Sequence, residues 1–122
     1  MNPRKKRRIE ELLRRELSNI ILYEMKDPRA GFITLTRVEL SEDQRSAKVR
    51  LTVRGAEEEV QQTLRTLKRA RGYIQSLIGK RLDLRFTPVL EFLEDKEVRQ
   101  AMRLEELIDR ARREDREFRE AP

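Results

Sequence analysis

Apolar residues recur every three or four positions over the first part of the chain, a spacing that predicts one amphipathic helix. Asn2 can cap this helix, and Pro3 is favoured at its first position. Asp27 stands before Pro28, which disfavours helical backbone, so we expect the helix to end near Met25 and a turn to follow. The apolar positions are Ile9, Leu12, Leu13, Leu17, Ile20 and Ile21.

Two strands joined by a short polar connection follow this turn. Residues 33–40 (ITLTRVEL) are rich in β-branched types, and residues 47–53 alternate apolar with polar side chains. The connection at 41–46 is short enough to favour an antiparallel hairpin. Apolar residues change sides between Leu35 and Val38, so a bulge or twist is expected in the first strand.

Two more helices and a third strand come next. Apolar spacing predicts a second helix after Gly55 and a third that ends at Gly79, with Gly72 dividing them. Residues 84–92 (LRFTPVLEF) alternate as a strand does, but Pro88 cannot donate a ladder hydrogen bond. We therefore expect this strand at a sheet edge or at a bulge.

A last helix is predicted from five apolar positions, and a run of charges follows it. We expect its apolar side chains to pack on the sheet; the alternative is an exposed stripe that binds another protein. Residues 112–117 (RREDRE) offer no core face, so the end of the chain should be solvated or frayed. We therefore divide the chain into a domain over residues 1–108 and a charged extension over residues 109–122. The five positions are Val98, Met102, Leu107, Ile108 and Ala111.

The resulting order is helix, strand, strand, helix, kink, helix, strand, helix, which predicts an α+β fold. A chain of 122 residues suits one domain with a modest core. A three-stranded sheet can bury one face beneath the helices, and charged alternates such as Lys48 and Arg50 suit the other face.

The chain contains no cysteine and no histidine, which narrows the range of functions. Without them there is no disulfide, no zinc site of the usual kinds and no histidine-activated nucleophile. An enzyme using lysine or paired carboxylates is the alternative, but no positioned pair singles itself out. We therefore expect no catalysis, cofactor, metal or small-molecule substrate. No apolar run approaches the roughly 20 residues of a membrane span, so we expect a cytoplasmic protein without membrane contact.

The balance of charge points to an anionic partner. Lysine and arginine number 29 against 23 acids, and the net charge of +6 favours binding to nucleic acid. Cations gather at the start of the chain and around Gly72, where no glutamate lies between Val60 and Leu82. The run at the start can also be no more than a solvated helix end. The candidate phosphate-binding residues are Arg4, Lys5, Lys6, Arg7, Arg8, Lys68, Arg69, Arg71, Lys80 and Arg81.

Gly72 needs an explanation, because a glycine within a helix costs about 1 kcal/mol relative to alanine. It is either a cap between two separate helices or a hinge, with Ala70, in a compact helix-kink-helix. A hinge would let a backbone amide and the neighbouring cations approach a phosphate. A valine in place of Gly72 should then disturb the kink.

Four stretches and one short motif stand in a fixed order along the chain. They are KDPRAGFITLTRVELS at 26–41, AKVRLTV at 47–53, Ala70-Arg71-Gly72, GYIQSLIGK at 72–80 and LRFTPVLEFLED at 84–95. This ordered set resembles the ribosome-binding factor A family, and the resemblance spans residues 5–108. In that family an Ala-x-Gly kink, here Ala70-Arg71-Gly72, takes the place of the Gly-x-x-Gly loop of KH domains. The family commonly has a basic residue where Gln75 stands.

The resemblance implies a type II KH-like fold with the order α-β-β-α-kink-α-β and a C-terminal helix. It also implies a bacterial assembly factor that binds the immature small (30S) ribosomal subunit and assists late maturation of 16S rRNA near its 5′ end, with a link to growth in the cold. Ala70 and Gly72 would form the hinge, the candidate cations would bind rRNA without covalent chemistry, and we expect a monomer in solution. The alternative is an interaction adapter that docks through its last helix, with a non-specific basic surface.

Overall fold

The computed structural model describes residues 1–120 as four α-helices and one three-stranded sheet. The helices are α1 (Pro3–Asn19), α2 (Glu57–Arg69), α3 (Arg71–Arg81) and α4 (Lys96–Glu120), and the strands are β1 (Ile33–Leu40), β2 (Ser46–Val53) and β3 (Val89–Glu94). The sheet has the order β1-β2-β3, with β1 antiparallel to β2 and β2 parallel to β3. The predicted α+β fold and the predicted order of its elements are confirmed.

Helix α1 begins where the sequence predicts. The Asn2 side chain accepts a hydrogen bond of 2.8 Å from the backbone N–H of Arg4, which satisfies one of the free donors at the helix start. A π-helical turn over Ile20–Glu24 continues the helix close to its predicted end. This wider turn buries both of the consecutive isoleucines with which it begins.

Strands β1 and β2 form the predicted hairpin. The pairing register shifts between Leu35 and Arg37, which is the bulge expected in the first strand. Leu35 and Val38 are three positions apart and would point to opposite faces of a regular strand. The bulge allows both to be buried. The opposite face of the sheet carries charged side chains, among them Arg50, whose Nε donates to Glu39 at 2.6 Å.

Strand β3 starts at Val89, and not at Leu84 as the alternation of the sequence predicts. Pro88, which has no N–H for the ladder, stands immediately before the strand and is fully buried. The strand lies at the edge of the sheet, as predicted. On its free side the backbone N–H of Leu90 donates to Gln75 Oε1 at 2.9 Å, so this side chain satisfies an edge donor.

One hydrophobic core lies between the sheet and helices α1, α2 and α3. Its fully buried members come from each of these elements and include Leu13, Leu67, Ile78 and Phe92. The core therefore fixes the three helices on one face of the sheet. None of the helices within residues 1–120 combines the length and the apolar character needed to cross a membrane.

Helix α4 differs from the prediction in two ways. Residues 109–120 continue the helix instead of fraying, because arginine, glutamate and alanine are strong helix formers. Its apolar side chains do not pack on the sheet, since Met102, Leu107 and Ile108 are 51%, 59% and 41% exposed. No residue of α4 is buried, and the helix runs without a break through the stretch that was expected to be solvated.

Residues 121–122 lie outside the described chain. The division into a domain and an extension stays a prediction.

Two residues hold the start of α4. The Asp95 carboxylate accepts the Thr36 hydroxyl at 2.7 Å and the backbone N–H of Val98 at 3.1 Å. These two hydrogen bonds lower the pKa of the Asp95 carboxyl. Arg99 then joins α4 to the start of α2 through a contact of 2.6 Å with Glu57.

The turn predicted at Asp27 is confirmed, and it is tied to the start of α2. Asp27 Oδ1 accepts the backbone N–H of Arg29 at 2.8 Å. The Arg29 guanidinium pairs with Glu59 and donates to the backbone carbonyl of Arg54 at 2.7 Å. Gly55 has a φ of +140°, and a Cβ built on it would lie 2.8 Å from Arg29 Nη2. Glycine is therefore required at this position for both backbone and steric reasons.

Gly55→Ala should lower the free energy of unfolding by about 1–3 kcal/mol, because the new side chain meets Arg29 and the backbone is strained. Gly31→Ala is the matched control, since nothing lies within 4 Å of a Cβ built there. Urea denaturation followed by circular dichroism measures both variants. Equal stability of the two would contradict the steric requirement at Gly55.

The contribution of Asp95 to stability should depend on pH. The folded pKa of its carboxyl lies below the usual 3.8, so the contribution is present above that value and is lost as the pH falls through the folded pKa. We expect Asp95→Ala to be less stable than the wild type by about 1 kcal/mol near neutral pH, with a smaller difference in acid. Asp95→Asn, which keeps the helix cap, should lose less. Urea titrations across the acid range measure the difference, and a gap that is constant with pH would refute its origin in the carboxylate.

Candidate nucleic-acid interface

Helices α2 and α3 meet at a single residue, Ala70. Its φ of −83° and ψ of 0° interrupt the helical backbone. Its N–H donates to the Thr66 carbonyl at 3.0 Å, and its own carbonyl accepts the N–H of Ile74 at 2.9 Å. One residue thus ends one helix and begins the next without a loop. The kink predicted over residues 70–72 lies at the first of these three positions.

Gly72 is not the residue at which the chain bends. It lies within α3 and has no positive φ, unlike Gly55, which is the one glycine of residues 1–120 that does. A Cβ built on Gly72 meets no atom within 4 Å. The bend therefore needs no glycine at this position, and the expectation that a larger side chain disturbs the kink finds no support in the packing.

Four of the predicted cations around the kink are exposed and form no ion pair within residues 1–120. Lys68 and Arg69 close α2, where the helix dipole favours positive charge, and Lys80 lies in the last turn of α3. Arg71 opens α3, where the dipole disfavours a cation, so its charge does not serve the helix. All four charges are available to an external anion.

Arg81 differs from these four cations because it has partners within the chain. Its guanidinium lies 2.9 Å from Glu24 and 3.5 Å from Glu16. Two carboxylates thus offset its charge, and the ion pairs tie the end of α3 to α1. These ion pairs give Arg81 a structural role, and its predicted contact with phosphate stays a prediction. The sequence could not indicate this role, because both partners are distant along the chain.

The basic residues at the start of the chain belong to the first turns of α1. Lys6 Nζ lies 2.9 Å from Glu42 in the hairpin connection, and this carboxylate raises the pKa of Lys6. Lys6 therefore has an internal partner. The remaining four are exposed and make no ion pair with the described chain: Arg4, Lys5, Arg7 and Arg8.

Positive charge is concentrated on α1 and on the α2–α3 unit, and not on α4. Between Val60 and Leu82 the chain carries six lysines and arginines and no acid. Helix α4 carries eight basic and eight acidic residues, so its net charge is zero. The electrostatic potential at the kink is therefore positive, because the neighbouring residues of α2 and α3 include no acid to offset the cations.

The fold also brings together two arginines that no sequence pattern relates. The Cζ atoms of Arg45 and Arg85 lie 4.6 Å and 5.3 Å from the ring centroid of Phe86. Arg45 belongs to the hairpin connection, whereas Arg85 and Phe86 precede β3. Only the adjacency of Arg85 and Phe86 is visible in the sequence.

The chemistry of this surface is that of anion binding. Within residues 1–120 no three histidine, cysteine, aspartate or glutamate residues are grouped so that they could hold a metal ion. The acidic run at 57–59 opens α2, where Glu59 Oε1 accepts the Ala56 N–H at 3.3 Å and caps the helix. What the surface offers is guanidinium, ammonium and backbone N–H donors, which suit phosphate.

Comparison with known proteins places this chain among ribosome-binding factors. A family model described as Ribosome-binding factor A matches residues 5–108. The chain is 43% identical over 98% of its length to ribosome-binding factor A of Halothermothrix orenii, of which it covers 98%. The crystal structure of ribosome-binding factor A from Thermus thermophilus has a TM-score of 0.64 at 32% identity, over 73% of this chain and 94% of that one.

A second structure concerns the Thermus thermophilus factor in a complex. It is a homology model fitted into a cryo-EM map of a 30S–RbfA complex, and it has a TM-score of 0.59 at 31% identity, over 70% of this chain and 90% of that one. Family match, fold and sequence identity all agree. The chain belongs to the ribosome-binding factor A family.

Proposed function

We propose that this protein is an assembly factor that binds the small (30S) ribosomal subunit and assists late maturation of 16S rRNA near its 5′ end. The observation that carries the proposal is the set of exposed cations around Ala70, which have no carboxylate partner within the described chain. The family and the 30S complex of the Thermus relative support the choice of partner. The protein would act in the cytoplasm, as a monomer, with a role in growth in the cold.

The N-terminus of α3 supplies a site for a phosphate. The N–H groups of Arg71, Gly72 and Tyr73 lie in its first turn and have no acceptor within α3. The guanidinium of Arg71 adds positive charge beside them. No atom of residues 1–120 occupies the space that a side chain at Gly72 would fill. Close approach of an external ligand therefore explains a glycine that costs about 1 kcal/mol and has no internal purpose.

The mechanism that we propose is differential binding without covalent chemistry, in keeping with a family of ribosome-binding factors. A factor that binds one arrangement of rRNA more tightly than another shifts the population toward it. A shift from about 1:99 to 99:1 needs a preference of roughly 10⁴-fold, or about 5.5 kcal/mol. Aromatic residues make up 5% of the chain, so recognition rests on phosphates and RNA shape more than on base stacking.

A second candidate function is an interaction adapter that docks through α4. The exposed Met102, Leu107 and Ile108 favour it, because apolar side chains on a solvated helix can pack against a partner protein. In that case the basic surface would be non-specific. The two functions place the essential residues on different helices, which makes them separable by mutation.

Arg69→Ala with Arg71→Ala should leave the fold intact and weaken binding to small subunits by about tenfold or more, because two charged phosphate contacts are lost. Co-sedimentation with purified 30S subunits over a range of salt concentrations measures the effect. The slope of log affinity against log salt should decrease by about two, one unit for each phosphate contact.

The matched control is Arg112→Ala with Arg113→Ala, which removes the same charge from exposed positions of the neutral helix α4. An equal loss of binding in both double variants would show that only net charge matters. Loss of binding in Leu107→Glu, with the two arginine pairs unaffected, would favour the adapter.

Gly72→Ala should be as stable as the wild type or more stable by up to about 1 kcal/mol, since the helix gains and nothing is displaced. Gly72→Leu should also fold, yet it should bind 30S subunits less tightly because the side chain stands where the phosphate approaches. Ser76→Leu, at an exposed position in the same helix, is the control. Thermal unfolding and co-sedimentation measure the two effects, and full binding by Gly72→Leu would refute the close approach.

A further inference from the structure

Two guanidinium groups share one aromatic ring outside the α2–α3 unit. Arg45 and Arg85 both place their Cζ atoms within cation–π distance of the Phe86 ring, at 4.6 Å and 5.3 Å from its centroid. Both arginines are exposed, and Phe86 is half-buried. The shared ring therefore keeps the two Cζ atoms within about 10 Å of each other at the surface.

Neither arginine has a carboxylate partner within residues 1–120. Asp43 is the acid nearest to Arg45 in the chain, and its Oδ1 is occupied by the Ser41 hydroxyl at 2.6 Å and by the backbone N–H of Arg45 at 3.1 Å. Its carboxylate thus shapes the hairpin connection and forms no ion pair with the guanidinium. Hydrogen bonds from the Ser41 hydroxyl and the Arg45 backbone lower the pKa of the Asp43 carboxyl, and the charge of Arg45 lowers it further, so Asp43 attracts Arg45 from beyond ion-pair distance. The two guanidinium groups still repel each other, and a bridging anion relieves that repulsion.

The backbone under these arginines is held in place. The carbonyl of Arg45 accepts the N–H of Val89 at 2.9 Å, which joins the hairpin connection to the start of β3. Pro88 is fully buried, and a Cβ built on Gly79 would lie 3.0 Å from Thr87 Oγ1. The segment that carries Arg85 is therefore packed tightly against α3. Binding of a ligand should then cost little backbone conformational entropy in this segment.

We propose that Arg45 and Arg85, positioned by Phe86, bind a phosphodiester group of the RNA backbone. Two guanidinium groups can each donate to the non-bridging oxygens of one phosphate, a geometry that arginine favours over lysine. The proposal rests on the proposed function, since it adds a second contact to the same RNA. The site is separate from the kink, because Gly79 and Ala70 are about 14 Å apart along the axis of α3.

The test compares three full-length variants with the wild type. Arg45→Ala with Arg85→Ala removes the charges, Phe86→Leu keeps the charges but removes the ring, and Arg112→Ala with Arg113→Ala is the control for net charge. The probes are a fluorescein-labelled RNA hairpin, whose binding is followed by anisotropy over a range of salt concentrations, and purified 30S subunits in co-sedimentation.

The double variant Arg45→Ala with Arg85→Ala should bind the hairpin about tenfold more weakly, with a salt slope lower by about one because the two arginines share one phosphate. Phe86→Leu should weaken binding by a smaller factor and leave the salt slope unchanged, because both charges remain. A purely structural role of the ring would not produce this combination of weaker binding and unchanged slope. Behaviour of the double variant equal to that of the control, or no binding of the hairpin by the wild type, would overturn the proposal.

The two proposals fail in different ways. If the wild type does not co-sediment with 30S subunits but the double variant loses affinity for the hairpin, the ribosomal function is wrong and the phosphate site stands. If the wild type binds 30S subunits and the double variant binds both probes as the control does, the phosphate site alone is wrong.

Discussion

The parallel pairing of β2 with β3 is the constraint on which the rest of this structure depends. Parallel neighbours require the chain to return from the end of one strand to the start of the next, and here two helices make that crossing. One helix can make such a crossing, but here the crossing is divided at Ala70 into α2 and α3. The bend places the end of one helix beside the start of the next, and the exposed Lys68, Arg69 and Arg71, which make no ion pair within residues 1–120, lie next to it.

The sequence predicts the elements that its own periodicity encodes. Helix α1, the hairpin and the bulge between Leu35 and Arg37 follow from local spacing and cap chemistry. The start of β3 differs from the prediction because alternation continues through residues 84–88, although the strand begins only after Pro88. Helix α4 also differs from the prediction, because it continues through residues 109–120. The lack of a buried face there matters less than the helix propensity, which is strong throughout these residues.

The candidate site is predictable in part, since the clustering of cations around residues 68–72 is a sequence feature. The roles of single residues are not, because they depend on distant partners. Arg81 is offset by Glu16 and Glu24 on α1. Glycines show the same limit: Gly55 and Gly79 have close neighbours, whereas Gly72, which the sequence singles out, faces open space. Local pattern identifies an unusual residue, but only the packing says what it is for.

Both outer edges of the sheet are met by side chains from helices. On β3 the N–H of Leu90 donates to Gln75, and on β1 the N–H of Leu40 donates to Glu10 Oε2 at 2.7 Å. A foreign strand that sought to extend the sheet would have to displace these groups first, which protects the molecule against edge-to-edge association. Each margin of the sheet thus has a backbone donor already engaged by a side chain of the same molecule, which favours side chains and helix ends as the places where a partner is recognised.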